Sequence, residues 1–196
     1  SVEVNFPKVM QRVQNVIKTI EPHDSVERFT QLGVNCVHGD AKILSPWEVE
    51  VNGQTLTARN IVIATGARPA VPDIPGLATL DYLTSDTVWD IRTLPERLLV
   101  VGAGPIGCEL AQAFARLGSK VTLVTHADRL LPREDLEVSE RVDAEFRRQH
   151  VKVHANYSPL LFDAAENEQT CVFSTPRGQR TLSFDRVLLA VGRSAN

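Results

Sequence analysis

Cysteine is scarce in this chain: Cys36, Cys108 and Cys171 are the only three among 196 residues, odd in number and widely separated. That argues against a disulfide framework and leads to the expectation of a reducing, cytoplasmic setting. Long apolar runs are also missing. None approaches the roughly 20 residues that a membrane-spanning helix needs, and the N-terminal residues lack a signal-peptide pattern, so no membrane partner is expected. Nor is there an excess of one charge, since 21 Lys and Arg face 24 Asp and Glu. The basic pair Arg147-Arg148 sits among Glu140, Asp143 and Glu145, as on a solvated helix face, and no nucleic-acid partner is expected. Clustered metal ligands are absent as well. His150 and His154 are the one suggestive pair, and four residues along an extended strand separate them by roughly 13 Å, too far to share an ion. No metal is expected. Nothing resembles a nucleophile elbow for Ser/His/Asp chemistry. The chain opens Ser-Val-Glu-Val without Met, and a place within a longer protein is expected.

What is present is 43% hydrophobic residue content, enough for one large domain or two small ones. Phe6, Val9, Met10, Val13, Ile17 and Ile20 recur at helical spacing up to Pro22. A second helical stretch is expected from an N-cap at Asp24 through Val26, Phe29 and Leu32 to Gly33. Strand-like segments follow at residues 34–37, at 47–51 before the Asn52-Gly53 turn, at 54–57, and in the apolar run Ile61-Val62-Ile63-Ala64. A Pro-rich connector with Pro69, Pro72 and Pro75 leads to loop and short helix, and a domain boundary is expected near residue 95.

From Arg97 the pattern becomes βαβ. Residues 98–101 form an apolar run of the kind buried in parallel sheets. The next helix sets Ile106, Leu110, Ala113, Phe114 and Leu117 on one side and stops at Gly118, and residues 121–124 form a second parallel strand. A charged helix over about 135–149 should turn Val138, Val142 and Phe146 inward. A short strand at 151–154, an antiparallel meander over 159–184 and a strand at 187–191 complete the expected order. The fold class is α/β, with a Rossmann-like parallel sheet and an antiparallel meander.

Between the first strand and its helix lies Gly102-Ala-Gly104-Pro-Ile-Gly107. The first glycine permits the sharp turn, the second lets a pyrophosphate approach the backbone, and the third lets helix and sheet pack closely. Phosphates then meet free N–H groups at the positive helix end. The flanking strand, helix and second strand make this a dinucleotide fingerprint, with Gly102, Gly104, Pro105, Ile106 and Gly107 as binding residues. The end of the second strand, where an acidic residue commonly holds the NAD ribose, carries Thr125 followed by His126. Thr cannot repel a 2′-phosphate, and His126 or Arg129 could pair with one, so acceptance of NADPH is expected. Arg133 reads as a surface residue.

Three motifs extend the reading. Residues 57–69 (TARNIVIATGARP), 102–121 (GAGPIGCELAQAFARLGSKV) and 187–196 (VLLAVGRSAN) resemble, in order and spacing, the pyridine nucleotide–disulfide oxidoreductases, the flavoprotein family of dihydrolipoamide dehydrogenase, glutathione reductase and mercuric reductase. Within the second motif, ELAQAFARLGSKVT looks closest to mercuric reductase. The resemblance implies that residues 1–95 are an incomplete FAD-binding domain segment and 96–196 an NAD(P)-binding domain. It places Ala64, Thr65 and Gly66 near the flavin, makes Glu109 the flavin-side catalytic glutamate, and puts Gly192 and Arg193 at the NAD(P) site, with Arg193 near the flavin–nicotinamide contact. Pro105 stands where several members carry a gating Tyr, which puts aromatic gating in doubt, and Ala195 replaces a frequent Pro. The implied cofactors are FAD and NAD(P)H, and the implied activity is hydride transfer from NAD(P)H to FAD and on to a disulfide or metal-ion substrate. A homodimer of the full-length protein is implied too. The family's C-x4-C redox pair does not occur in this chain, and its three cysteines read as packing residues. Two alternatives stay open: a two-nucleotide reductase of the quinone or ferredoxin type without that pair, and a non-catalytic dinucleotide-binding module.

Overall fold

A computed structural model describes residues 4–165 and 168–196. The chain divides into two compact units, Arg12–Gly66, and Ala67–Asn196 together with the residues up to Gln11. No helix among the described residues is long and apolar enough to cross a membrane.

In the larger unit, β5 (Arg97–Val101), β6 (Lys120–Val124), β7 (Lys152–His154) and β11 (Arg186–Leu189) form a parallel sheet in the order β11-β5-β6-β7. Because successive strand residues point to opposite faces, β5 feeds two cores. Leu98 and Val100 face one packed cluster with Leu110, Ala111 and Phe114 of α3 (Pro105–Leu117) and Phe146 of α4 (Leu136–Arg148). Phe6 and Met10, from the start of α1 (Phe6–Ile20), join that cluster. Leu99 and Val101 face a second cluster with Phe162, Cys171, Phe173 and Phe184. Those residues come from the antiparallel sheet of β8 (Ser158–Ala165), β9 (Glu168–Thr175) and β10 (Gly178–Phe184). The unit is thus layered helices, parallel sheet, antiparallel sheet, and the expected α/β class with its meander is what the chain adopts. Glu166 and Asn167, inside the expected meander, lie outside the described residues.

The inner helix faces differ from expectation. In α3 the buried residues are Gly107, Cys108, Leu110, Ala111 and Phe114, while Ile106 is 37% exposed and Ala113 also faces outward. Leu110 and Phe114 are buried as their apolarity implies, while the small Gly107, Cys108 and Ala111 take the other buried positions in place of Ile106 and Ala113. In α4 Val138 is exposed and Ser139 is buried instead, its Oγ donating to the Leu130 carbonyl at 2.7 Å.

The connector also behaves differently from a simple linker. Residues Ala67–Pro69 form β4, which pairs antiparallel with β12 (Arg193–Ala195), setting Ala67 opposite Ala195. Short 3₁₀ turns occupy Leu77–Thr79 and Val88–Asp90. Leu83 adds one parallel bridge to Leu188 at the sheet edge.

The smaller unit holds the remainder of α1, a 3₁₀ turn at Glu21–Asp24, α2 (Val26–Gln31) and a three-stranded antiparallel sheet. Its strands are β1 (Lys42–Ser45), β2 (Glu48–Val51) and β3 (Gln54–Thr57), with β2 central. The N-cap of α2 is Ser25, whose Oγ accepts from the Arg28 N–H at 3.2 Å, and not Asp24. Asn52 and Gly53 both have positive φ, as the tight hairpin turn requires. Residues 34–37 and 61–64 form no strand. The apolar run at 61–64 has no ladder partner among the described residues, and Val62 and Ile63 are 85% and 70% exposed.

Candidate functional site

The three fingerprint glycines meet different surroundings. Gly102 has φ +112°, its N–H donates to the Val124 carbonyl at 2.8 Å, and an added Cβ would overlap the Ala190 carbonyl. Gly107 is helical, and an added Cβ would overlap the Gly102 carbonyl. Local geometry therefore demands glycine at both positions. Gly104 is another matter. Its φ of −74° and ψ of −179° suit any residue, and no described atom lies within 4 Å of where a Cβ would sit.

Gly104 is the N-cap of α3 and Pro105 its first residue, and the cap has no side-chain hydrogen bond. Proline fits there because the first N–H of a helix is unpaired anyway. The remaining first-turn N–H groups have no intrahelical acceptor, so the turn presents bare donors and a positive dipole end. They open into a cleft of about 440 Å³. Its walls come from the carboxyl ends of three parallel strands: Ala103 to Ile106 after β5, Thr125 and His126 after β6, and Leu189 to Gly192 after β11. Ligands in open α/β sheets bind at this edge. Pro69, Ser85 and residues 131–134 complete the lining.

Thr125 is 4% exposed, and its hydroxyl oxygen accepts from the Ala127 N–H at 3.1 Å. Its main chain joins β7 through Thr125 N–H to the His154 carbonyl at 3.0 Å. A hydroxyl that accepts one bond can still donate one. His126 is exposed at the cleft wall. Arg129 does not line the cleft; its Nη2 donates to the carbonyls of Pro132 at 3.1 Å and Glu134 at 3.0 Å. Arg133, read from sequence as a surface residue, is exposed and does line it.

Glu109 is exposed on α3 and lies outside the cleft lining. Gly192, at φ +114°, is in the lining, and its carbonyl accepts from the Ala70 N–H at 2.9 Å. Arg193 beside it donates to the Ala67 carbonyl and to Ser85 Oγ at 3.2 Å, and pairs with Asp86 at 3.5 Å. No signal in the sequence pointed to Ser85, Leu131, Pro132 or Glu134, which join the lining, or to Asp86, which pairs with Arg193. Ala64, Thr65 and Gly66 belong to the smaller unit, where all three are exposed and Gly66 has φ +71°.

Two of the cysteines are buried and poorly ionised. Burial pushes the Cys108 thiol up to about 11, helped by the Glu109 charge, and burial likewise pushes Cys171 up to about 12. Cys36 is partly buried and unpaired. Among the described residues no group of three or more His, Cys, Asp or Glu side chains could hold a metal ion. His150 has φ +58° in the turn before β7, and His154 stacks on Tyr157 with ring centroids 4.8 Å apart.

A glycine turn between a buried strand and an uncapped helix, opening at the carboxyl edge of a parallel sheet, defines the class of Rossmann-like dinucleotide-binding units. The family model for pyridine nucleotide-disulphide oxidoreductases matches residues 3–196, and the chain belongs to that family. Members of the family use FAD and NAD(P)H. The chain is 31% identical over 195 residues to a mercuric reductase of Staphylococcus aureus, covering 98% of this chain and 35% of that one. To a dihydrolipoyl dehydrogenase of Mycoplasma pneumoniae it is 38% identical over 165 residues, covering 82% and 35%. Among solved structures, the HOCl-induced flavoprotein disulfide reductase RclA from Escherichia coli matches with a TM-score of 0.79 at 28% identity. That match covers 99% of this chain and 44% of RclA. The chain therefore spans about a third of the length of the curated relatives quoted.

Proposed function

We propose that this chain is the NAD(P)H-binding portion, with part of the FAD-binding portion, of a flavoprotein oxidoreductase that moves reducing equivalents from NAD(P)H through FAD to a disulfide or metal-ion substrate. The observation that carries the reading is Gly104. Neither the backbone conformation nor the internal packing requires glycine there, yet the residue stands at the uncapped start of α3 facing the cleft. A ligand that must touch the main chain supplies the missing reason.

The chain's own groups divide the work. Backbone N–H groups of the first turn, at Ile106 and Gly107, hold the pyrophosphate, and Gly102 fixes the turn that aims them. The Thr125 hydroxyl donates to the adenosine ribose, and His126 stands ready for a 2′-phosphate, so NADPH is accepted along with NADH. Gly192 leaves room for the nicotinamide end, while Arg193 holds Ala67, Ser85 and Asp86 in place around it. Glu109, Arg193, Ala64, Thr65 and Gly66 take flavin-side roles by their match to the family's motifs. The bound cofactors carry the hydride and electron chemistry, and the protein orients them. Residues 1–95 and 96–196 are assigned to the FAD and NAD(P) domains, and the full-length enzyme is a homodimer in this reading.

Gly104→Val in the intact flavoprotein is the direct test. Visible spectroscopy should show flavin still bound, while rapid mixing with NADPH or NADH should reduce it at least tenfold more slowly at a fixed subsaturating concentration, an order-of-magnitude expectation. Wild-type reduction by the variant would refute the proposal.

A further inference from the structure

The segment from His126 to Glu134 contributes to the cleft lining through His126 and residues 131–134, among them the charged Arg133 and Glu134. Arg129, outside that lining, is the first Lys or Arg after the strand end, where a phosphate-binding residue would be sought. Its guanidinium is committed elsewhere. Nη2 bridges the carbonyls of Pro132 and Glu134, which flank Arg133 on both sides. Nη1 is buried with no hydrogen-bond partner among the described residues. A phosphate reader presents its donors to the ligand, whereas these are turned into the loop.

The loop is also tied to the glycine turn. Leu131 is 9% exposed, holds φ +47°, and donates its N–H to the Ala103 carbonyl at 2.8 Å. The Glu134 N–H closes the loop on the Leu131 carbonyl at 2.9 Å. A non-glycine residue keeps such a φ only where its surroundings impose it. Here those surroundings are the bond to Ala103 and the two carbonyls gathered by Arg129.

We infer that Arg129 is a positioning residue: it braces residues 131–134 against the glycine turn, so that Arg133 and Glu134 are held at the cleft, and it does not itself contact the dinucleotide. This rests on the proposal that the cleft binds NAD(P)H. Both bonds leave one nitrogen, Nη2, whose N–H groups are fixed in the weakly hydrated guanidinium plane, whereas an ammonium is strongly hydrated and lacks that fixed plane, so lysine should substitute poorly.

Arg129→Lys and Arg129→Gln in the intact flavoprotein separate the possibilities. As a brace, Arg129 should give both variants KM values for NADPH and for NADH raised by a similar factor, on the order of three to ten, with kcat changed less than about twofold. A loss confined to NADPH, appearing in Arg129→Gln and restored by Arg129→Lys, would mean direct phosphate contact and would overturn the inference. Wild-type KM values in both variants would overturn it too. A measurement on the wild-type protein guards against poor folding of the variants. Phenylglyoxal labelling mapped by peptide mass spectrometry should modify Arg133 in the free protein and spare Arg129 both with and without NADPH. Arg129 modified in the free protein and protected by NADPH would refute the bracing role. If Gly104→Val impairs flavin reduction while the Arg129 variants bind normally, this inference alone fails. If Gly104→Val has no effect, the reading of the cleft fails with it.

Discussion

Alanine substitutions at the three fingerprint glycines should separate folding from binding, because only two of them answer to the fold. At Gly104 an alanine finds φ −74° and open space. Removing a glycine from the unfolded ensemble contributes about 0.4–1 kcal/mol in favour of folding, and placing alanine at an N-cap costs a similar amount. The net change should stay within about 1 kcal/mol, a Tm shift of roughly 1–2 °C or less in the full-length protein. At Gly102 the φ of +112° is strained for alanine, and its Cβ would overlap the Ala190 carbonyl. Backbone strain of about 1–3 kcal/mol joins an overpacking cost of about 1–3 kcal/mol, so Tm should fall by several degrees, more than at either other glycine. At Gly107 the helical backbone accepts alanine, and only the overlap with the Gly102 carbonyl remains, giving an intermediate loss of about 1–3 kcal/mol. Thermal unfolding of the full-length flavoprotein, paired with NADPH titration of its flavin absorbance, reads both quantities. Gly104→Ala should keep the wild-type Tm and weaken NADPH binding on the order of tenfold, about 1.4 kcal/mol. Equal Tm losses at Gly104 and Gly102, or unchanged NADPH affinity in Gly104→Ala, would refute the reasoning.

The remaining expectations concern stability and reactivity. Asp185 accepts from the Arg97 N–H at 2.7 Å and from its guanidinium, and Arg97 holds the Asp185 carboxyl below the usual carboxylate range. A depressed carboxylate stabilises the fold at neutral pH and loses that contribution as pH falls through its folded value. Asp185→Asn should therefore lower the urea midpoint by a constant amount from pH 7 down to about 4, and the gap should close below that; a gap that widens in acid would contradict the pairing. With thiols pushed up to about 11 and about 12, Cys108 and Cys171 should resist iodoacetamide at pH 8 while the partly buried Cys36 is modified first. Peptide mass spectrometry showing Cys108 labelled as fast as Cys36 would count against this. Ser119 Oγ donates to the Pro95 carbonyl at 2.6 Å in a buried setting, so Ser119→Ala should cost about 1 kcal/mol in chemical denaturation, and a neutral result would show that the bond contributes nothing.

How legible each part was depended on the range of the interactions that form it. The βαβ segment from Arg97 to Val124 could be read directly, because a continuous apolar strand, a glycine turn and an amphipathic helix are local patterns. The inner face of α3 was only partly legible. Apolarity favoured Ile106 and Ala113, whereas close packing of α3 on the sheet buried Gly107, Cys108 and Ala111. The ladder between β4 and β12 left no periodic trace, since three residues on each side, more than 120 positions apart, are too short to show alternation. Arg133 illustrates the same limit at the cleft. Its place depends on Arg129 gathering two carbonyls and on Leu131 adopting a positive φ, and no spacing rule announces either. The run at 61–64 has the composition of a buried strand, but composition does not supply the neighbour that a ladder requires.

The pairing of Ala67 with Ala195 has an engineering consequence. Facing residues of an antiparallel ladder lie about 5 Å apart, so the stretch between them leaves and rejoins its surroundings through one doorway. Segments whose ends meet are the ones that can be transplanted as blocks or reopened elsewhere by circular permutation. Transplanted as a block, residues 67–195 would need a host whose two attachment points stand about that far apart, together with a replacement for Phe6 and Met10, which fill part of the first core.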